Sequence, residues 1–192
     1  MFEYLGDFKR VFVTGPHRSG TTICAIMIAS DLGYKWYKED VIGEKYPNEL
    51  LKFANGNRNF VLQCPSMCPY MHEIASHKDA VVFMRRPLRE IILSQKRIGW
   101  DKNDAELKRY GLDSGVIAQV KYEKWMEYQK DLIANPFEVH YRTLARHPLW
   151  VPKRLRADWK PRQTRPESKF TWDDSESHKK MREERRSRGK PV

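Results

Sequence analysis

Short apolar runs alternate with stretches of helical periodicity along most of this chain. Five apolar runs predict β-strands, at residues 10–14, 34–37, 59–63, 80–84 and 137–140. Helical patterns lie between them and predict α-helices at residues 20–32, 47–54, 67–77, 87–98 and 114–134. Strands that alternate with helices in this way are typical of an α/β domain built on a parallel sheet.

Polar residues follow each predicted strand. They are the segment that begins at Gly15, then Lys38-Glu39-Asp40, Gln63-Cys64-Pro65-Ser66, Arg85-Arg86-Pro87 and Tyr141-Arg142. Ligands in open parallel sheets bind beyond the carboxyl ends of the strands, where these residues are expected to meet. The sequence therefore predicts a binding site at that edge of the sheet.

The composition changes near Pro152. Residues 152–192 carry 14 Lys and Arg against 7 Asp and Glu, and so hold +7 of the net charge of +11. We predict a compact α/β domain at residues 1–151 and a basic C-terminal extension at residues 152–192, partly disordered or packed back on the domain. A basic extension can attract nucleic acid, an anionic surface or a polyanionic small ligand, although a solvated, partly disordered end explains its last residues as well.

Neither a membrane span nor a secretion signal is visible in the sequence. No apolar run approaches the ~20 residues that a membrane-spanning helix needs. The first seven residues lack the basic and apolar regions of a signal peptide. We therefore expect a cytoplasmic protein.

Three cysteines are too few for a disulfide framework. Cys64, Cys68 and His72 lie at four-residue steps and could share one helix face, which would supply three zinc ligands. No fourth ligand is evident, and buried thiols are the preferred interpretation. We predict no metal site.

The segment from Gly15 to Thr22, which reads Gly-Pro-His-Arg-Ser-Gly-Thr-Thr, lies between the first predicted strand and the first predicted helix. That context is typical of a phosphate-binding loop, in which backbone N–H groups and the helix N-terminus hold an anion. The spacing matches G-x-x-x-x-G-K-[ST], but Thr21 stands where the lysine of nucleoside-triphosphate enzymes belongs. Arg18 is the nearest cation within the loop.

A second pattern follows the fourth predicted strand. Arg86 lies just beyond the end of that strand, Pro87 opens the next helix, and Ser94 comes eight residues after the arginine. Eight residues span a little over two helical turns, so both side chains could reach one anion. A guanidinium and a hydroxyl suit a phosphate monoester.

With these two patterns the chain resembles the sulfotransferases that use 3′-phosphoadenosine-5′-phosphosulfate (PAPS). Members of that family carry a loop like residues 18–22 and, later, an Arg with Ser eight positions on. The segment 139–144 (Val-His-Tyr-Arg-Thr-Leu) is also similar to a late strand of the family. The resemblance covers residues 10–148 and implies a P-loop fold. We expect a three-layer α/β sandwich with a five-stranded parallel sheet of order 2-3-1-4-5.

The resemblance also implies roles for individual residues. The 5′-phosphosulfate would lie on the loop, which comprises His17, Arg18, Ser19, Gly20, Thr21 and Thr22. Arg18 would assist departure of the 5′-phosphate, in a position where many members have Lys. Arg86 and Ser94 would bind the 3′-phosphate. PAPS has no γ-phosphate, so the missing lysine and its magnesium ion lose their main purpose, and no metal is required.

An acceptor hydroxyl or amine also needs a general base. Some bacterial relatives place a Glu near the end of the second strand, where this chain has Glu39, with Asp40 and Glu44 as substitutes. Other members use a His after the third strand, where His72 and His77 occur. The acceptor would be a small molecule, a glycan or a peptide.

The chain departs from the family pattern at two further positions. Gln63 stands where many members have Lys, and Arg142 stands where an acidic residue is common. Two other functions therefore stay open. One is a P-loop kinase, and the other is a non-catalytic module that binds anions or nucleic acid.

Overall fold

A computed structural model of the protein describes residues 1–42, 47–97 and 114–151. Its sheet contains five parallel strands in the order β2-β3-β1-β4-β5. They are β1 (Arg10–Thr14), β2 (Lys35–Lys38), β3 (Phe60–Gln63), β4 (Asp79–Arg85) and β5 (Pro136–His140). The predicted α/β class and the predicted strand order 2-3-1-4-5 are confirmed.

Helices pack on both faces of the sheet and complete three layers. They are α1 (Thr21–Leu32), α2 (Pro47–Gly56), α3 (Met71–Ile74), α4 (Leu88–Arg97) and α5 (Ser114–Leu132). Alternate residues of β1 enter two separate apolar clusters: Val11 and Val13 pack with α1, while Phe12 packs with residues of α2 and α5. This is the burial pattern expected of a central strand that is covered on both faces.

The strand register brings three strand ends together at one edge of the sheet. Val13 of β1 is paired with Gln63, and Thr14 is paired with Phe83. The loop after β1 is therefore flanked by the ends of β3 and β4. The predicted edge for a binding site is the edge at which these chain segments meet.

The predicted helix at residues 67–77 is wrong for most of its length. The chain forms a 3-10 segment over Pro65–Tyr70, and only Met71–Ile74 is α-helical. Pro69 lies inside this region and has no N–H to donate to an α-helical hydrogen bond. Ala75 is already extended, with φ −82° and ψ 127°. The apolar periodicity correctly indicated burial, because Met67, Met71 and Ile74 are buried. It did not indicate the backbone conformation, because Pro69 prevents a continuous α-helix.

A buried glutamine on α5 stabilises this irregular segment. Gln129 is 1% exposed. Its Oε1 accepts a hydrogen bond from the His72 N–H at 2.7 Å, and its Nε2 donates to the Pro69 carbonyl at 2.6 Å. The side chain thereby satisfies one donor and one acceptor that the short helix leaves unpaired.

Replacing Gln129 with leucine should therefore destabilise the fold by about 2 kcal/mol, because two buried backbone groups lose their partner. Urea unfolding monitored by circular dichroism would measure the change. Lys124→Gln, at an exposed position of the same helix, should change the free energy of unfolding by less than about 0.5 kcal/mol. Equal stability of the parent and the leucine variant would show that Gln129 does not support the segment.

The three cysteines are free and buried, as predicted. Burial raises the pKa of all three thiols, that of Cys68 to about 12. Cys64 follows β3 with φ −140°, outside any helix, so it does not share a helix face with Cys68 and His72. The described ranges contain no group of three or more side chains that could hold a metal ion.

Within those ranges, no helix has the length and apolar character needed to cross a bilayer. The predicted C-terminal extension at residues 152–192 lies outside the described residues. Its role stays a prediction.

Candidate functional site

The loop between β1 and α1 has an unusual backbone. Gly15, Arg18 and Gly20 all have positive φ angles, of 128°, 71° and 105°. A Cβ on Gly15 would lie 3.0 Å from the Met84 carbonyl oxygen, and a Cβ on Gly20 would lie 2.6 Å from Cδ2 of Tyr141. Glycine is therefore required at both ends of the loop, by conformation and by close packing.

The loop leads directly into the N-terminus of α1. Gly20 is the N-cap and, as a glycine, has no side chain with which to cap the first turn. The first turn also contains no acidic residue. Unpaired N–H groups and the positive end of the helix dipole therefore face the loop, which is the arrangement that binds phosphate or sulfate in other proteins.

Ser19 adds a polar atom to the same cradle. Its side chain is fully buried, and among the described residues its Oγ has no hydrogen-bond partner. Because a buried hydroxyl without a partner is unfavourable, this atom suits a site that takes a polar ligand. Thr21, two residues further along the chain, accepts a long hydrogen bond, at 3.5 Å, from the Gln63 amide.

Arg18 extends from the loop towards α4. Its Nε donates to Ser94 Oγ at 3.1 Å, and Ser94 is 8% exposed. Burial lowers the pKa of Arg18, and the positive charges of Arg97 and Arg86 lower it further. Within the described part of the chain, no carboxylate forms an ion pair with this guanidinium. The result is a concentration of positive charge that an anionic ligand would relieve.

Arg86 lies against the same loop. Its Nη1 donates to the backbone carbonyl of Arg18 at 2.8 Å, and its guanidinium carbon lies 4.0 Å from the centre of the Tyr141 ring. Its Nε donates to Glu90 at 3.1 Å. Hydrogen bonds from Arg142 and Arg86 lower the pKa of Glu90. The structure thus brings together the loop and the arginine predicted from the second sequence pattern.

The neighbouring Arg85 points elsewhere. It donates hydrogen bonds to Glu127 and Glu138, on α5 and β5. Successive strand residues face opposite sides of a sheet, so only one of the two arginines can reach the loop. The sequence could not show that α5 and β5 supply carboxylates for Arg85.

Glu39 is buried at the end of β2. Its two carboxylate oxygens accept hydrogen bonds from the backbone N–H and the hydroxyl of Ser66, at 2.9 and 3.1 Å. Ser66 lies in the 3-10 segment that follows β3, so the carboxylate also caps the start of that segment. This contact joins the ends of two neighbouring strands and was not predicted.

The other candidates for a general base are less well placed. His72 Nδ1 lies 3.0 Å from Gln129 on α5. His77 is exposed two residues before β4 begins, at the edge of the sheet opposite the loop. The location of His77 follows from the strand direction and excludes it as a base for a ligand on the loop. Asp40 is half-buried, and Glu44 lies outside the described residues.

His17 contacts an aromatic residue that the sequence did not single out. Its ring lies edge-on to Tyr122 of α5, with ring centres 5.9 Å apart. Burial raises the pKa of Tyr122, and the nearby Cys68 and Glu39 raise it further. Tyr122 is therefore close to His17 of the loop and near the buried carboxylate of Glu39. Its position on a long helix gave no sequence indication of this.

A cavity of about 290 Å³ adjoins the loop on the side of α5. Apolar and charged side chains line it together, namely Pro16, Met84, Arg85, Arg86, Pro87, Glu123, Met126 and His140. Pro16, at the start of the loop, and Arg86 are therefore among the residues that line this cavity.

No family model and no curated protein sequence matches this chain. Among solved structures, it is similar to a shikimate kinase from Acinetobacter baumannii in complex with shikimate, at 15% identity and a TM-score of 0.49, over 76% of this chain and 93% of that one. It is also similar to the YorR protein of Bacillus subtilis in complex with phosphorylated GDP, at 13% identity and a TM-score of 0.49, over 69% and 86% of the two chains. These likenesses concern the fold alone.

Proposed function

We propose that this protein is a sulfotransferase that moves a sulfuryl group from PAPS to an acceptor hydroxyl or amine. One observation carries the proposal: Arg18 and Arg86 lie together at a phosphate-type loop that has threonine in place of the usual lysine. Arg86 donates to the Arg18 carbonyl, and Arg18 donates to Ser94. These contacts support a pair of adjacent sites for the 5′-phosphosulfate and the 3′-phosphate.

The loop would hold the 5′-phosphosulfate. Its backbone N–H groups, the first turn of α1 and the hydroxyls of Ser19, Thr21 and Thr22 would surround the anion. Sulfuryl transfer, like phosphoryl transfer, has a loose transition state, so positioning and charge stabilisation supply most of the catalysis. The guanidinium of Arg18 would stabilise charge on the oxygen that bridges sulfur and the 5′-phosphate.

Arg86 and Ser94 would hold the 3′-phosphate. Both side chains are mostly buried, and a bidentate guanidinium suits a phosphate monoester. The Tyr141 ring lies against the Arg86 guanidinium, 4.0 Å from its central carbon.

Glu39 would act as the general base. In the proposed step, the acceptor oxygen or nitrogen forms a bond to sulfur while the bond from sulfur to the bridging oxygen breaks. The electron pair leaves on the 5′-phosphate oxygen, and the acceptor proton passes to the Glu39 carboxylate. Its hydrogen bonds with Ser66 would fix the carboxylate in one orientation. The acceptor would be a small molecule, a glycan or a peptide.

Thermal unfolding with adenosine 3′,5′-bisphosphate, compared with ATP and magnesium, tests the proposal. At about 100 times its dissociation constant, a ligand stabilises the fold by roughly 2.7 kcal/mol. That corresponds to about 5 to 10 °C in Tm for a chain of this size. We expect such a shift with the bisphosphate alone, and we expect Arg86→Ala to lose it. Arg89→Ala, which removes an exposed arginine near the start of α4, should retain the shift.

Two other outcomes would support different functions for this protein. A shift with ATP and magnesium alone would overturn the proposal in favour of a P-loop kinase. No shift with either ligand would favour a non-catalytic binding module, in which the basic C-terminal residues would be the place to look for polyanion binding.

A further inference from the structure

Arg18 adopts a backbone conformation that arginine does not favour. Its φ of 71° lies in the left-handed region, where a side chain crowds the following carbonyl group. Unlike Gly15 and Gly20, it cannot take this conformation without cost. Such a residue persists only when its surroundings hold it there.

Among the residues that the structure describes, two side chains contact Arg18 by hydrogen bonds, and both belong to the segment after β4. The Arg86 guanidinium binds the backbone carbonyl of Arg18 at 2.8 Å, and Ser94 Oγ accepts from the Arg18 side chain at 3.1 Å. These two partners are the residues proposed to bind the 3′-phosphate. Arg86 and Ser94 therefore contact the loop even when no ligand is bound.

A third contact reaches the far end of the loop. The Tyr141 ring stacks with Arg86 at 4.0 Å and packs so closely on Gly20 that a Cβ there would lie 2.6 Å from the ring. Arg86 thus contacts the loop directly at Arg18 and through Tyr141 at Gly20. Its own orientation is fixed by Glu90, which accepts from its Nε.

We propose that Arg86 is a positioning residue for the phosphate loop, in addition to its contact with the 3′-phosphate. The inference rests on the proposed function only for the identity of the nucleotide. By holding the Arg18 carbonyl, Arg86 keeps the loop N–H groups and the Arg18 guanidinium in the conformation that binds the 5′ anion. Loss of Arg86 therefore weakens ligands that carry no 3′-phosphate at all.

The test compares ligands with and without that phosphate. Affinities of the parent and of Arg86→Ala are measured by calorimetry for adenosine 3′,5′-bisphosphate, for adenosine 5′-phosphosulfate and for inorganic pyrophosphate. We expect Arg86→Ala to weaken the last two by about threefold to tenfold, as loss of one supporting hydrogen bond does. Arg86→Lys keeps a donor near the Arg18 carbonyl and should restore part of that affinity.

Arg85→Ala is the matched control, because it removes a guanidinium from the same strand end but one that is bound to Glu127 and Glu138. It should leave the affinity for pyrophosphate within twofold. Unchanged affinity of Arg86→Ala for both ligands without a 3′-phosphate would overturn the inference. If the bisphosphate does not bind the parent while Arg86→Ala still weakens pyrophosphate, the proposed function fails and the positioning role stands. If the parent binds none of the three, both fail.

Discussion

Replacing Arg18 with alanine should lower turnover with PAPS by about 10²- to 10³-fold, as loss of a charge contact to a developing oxyanion does. The reason is local. Arg18 is half-buried, is not paired with a carboxylate among the described residues, and is fixed by Ser94 beside the loop. No other loop residue carries a permanent positive charge that could stabilise the departing phosphate. A screen of alcohols, phenols and amines would first identify an acceptor. The rate is then measured as release of adenosine 3′,5′-bisphosphate.

Two variants make this prediction specific. Arg18→Lys keeps the charge that many members of the resembled family have at this point, and should retain far more activity than the alanine variant. Arg89→Ala removes an exposed arginine near the start of the neighbouring helix and should leave turnover unchanged. An alanine variant at position 18 with parental turnover would rule out the proposed role in leaving-group departure.

Replacing Gly20 with alanine should abolish binding of the bisphosphate and destabilise the fold by about 3 kcal/mol, since strained backbone and overpacking each cost on the order of 1–3 kcal/mol. The new Cβ would lie 2.6 and 2.9 Å from two carbons of the Tyr141 ring, at a φ of 105°. Either Tyr141 or the loop must move, and both support the anion site. Urea unfolding and calorimetry with the bisphosphate measure the two effects.

Gly33→Ala is the matched control, because this glycine also has a positive φ, of 65°, but nothing lies within 4 Å of a Cβ built on it. It ends α1 on the far side from the loop. We expect a cost of about 1 kcal/mol from the backbone alone, with ligand binding intact. Equal effects of the two alanine substitutions would show that contact with Tyr141 is unimportant.

Most of the fold could be predicted from apolar periodicity. The bounds predicted for β1 match those observed, and the strand order is as expected. Periodicity failed at residues 67–77, where the buried side chains recur at helical spacing but Pro69 prevents a continuous α-helix. Sequence spacing reports which residues are buried more reliably than it reports which hydrogen bonds the backbone makes.

The site could be predicted only where its residues lie in local motifs. Spacing alone was enough to predict the loop glycines, because they lie within one short segment. The same holds for Arg86 and Ser94. The contact of Glu39 with Ser66 and that of His17 with Tyr122 join segments far apart in the chain. Nothing in either segment indicates its partner, because such pairs depend on how the layers pack.

The loop is supported by residues that are distant in sequence, and this has a consequence for folding. Arg86 follows Arg18 by 68 positions and Ser94 follows it by 76. The entropy of closing such long loops must be overcome before either contact forms, so the anion site is complete only after β1 and β4 have paired. Partly folded chains would lack it, and a nucleotide could not act as a template for early folding. Any stabilisation by a bound nucleotide therefore belongs to the native state alone.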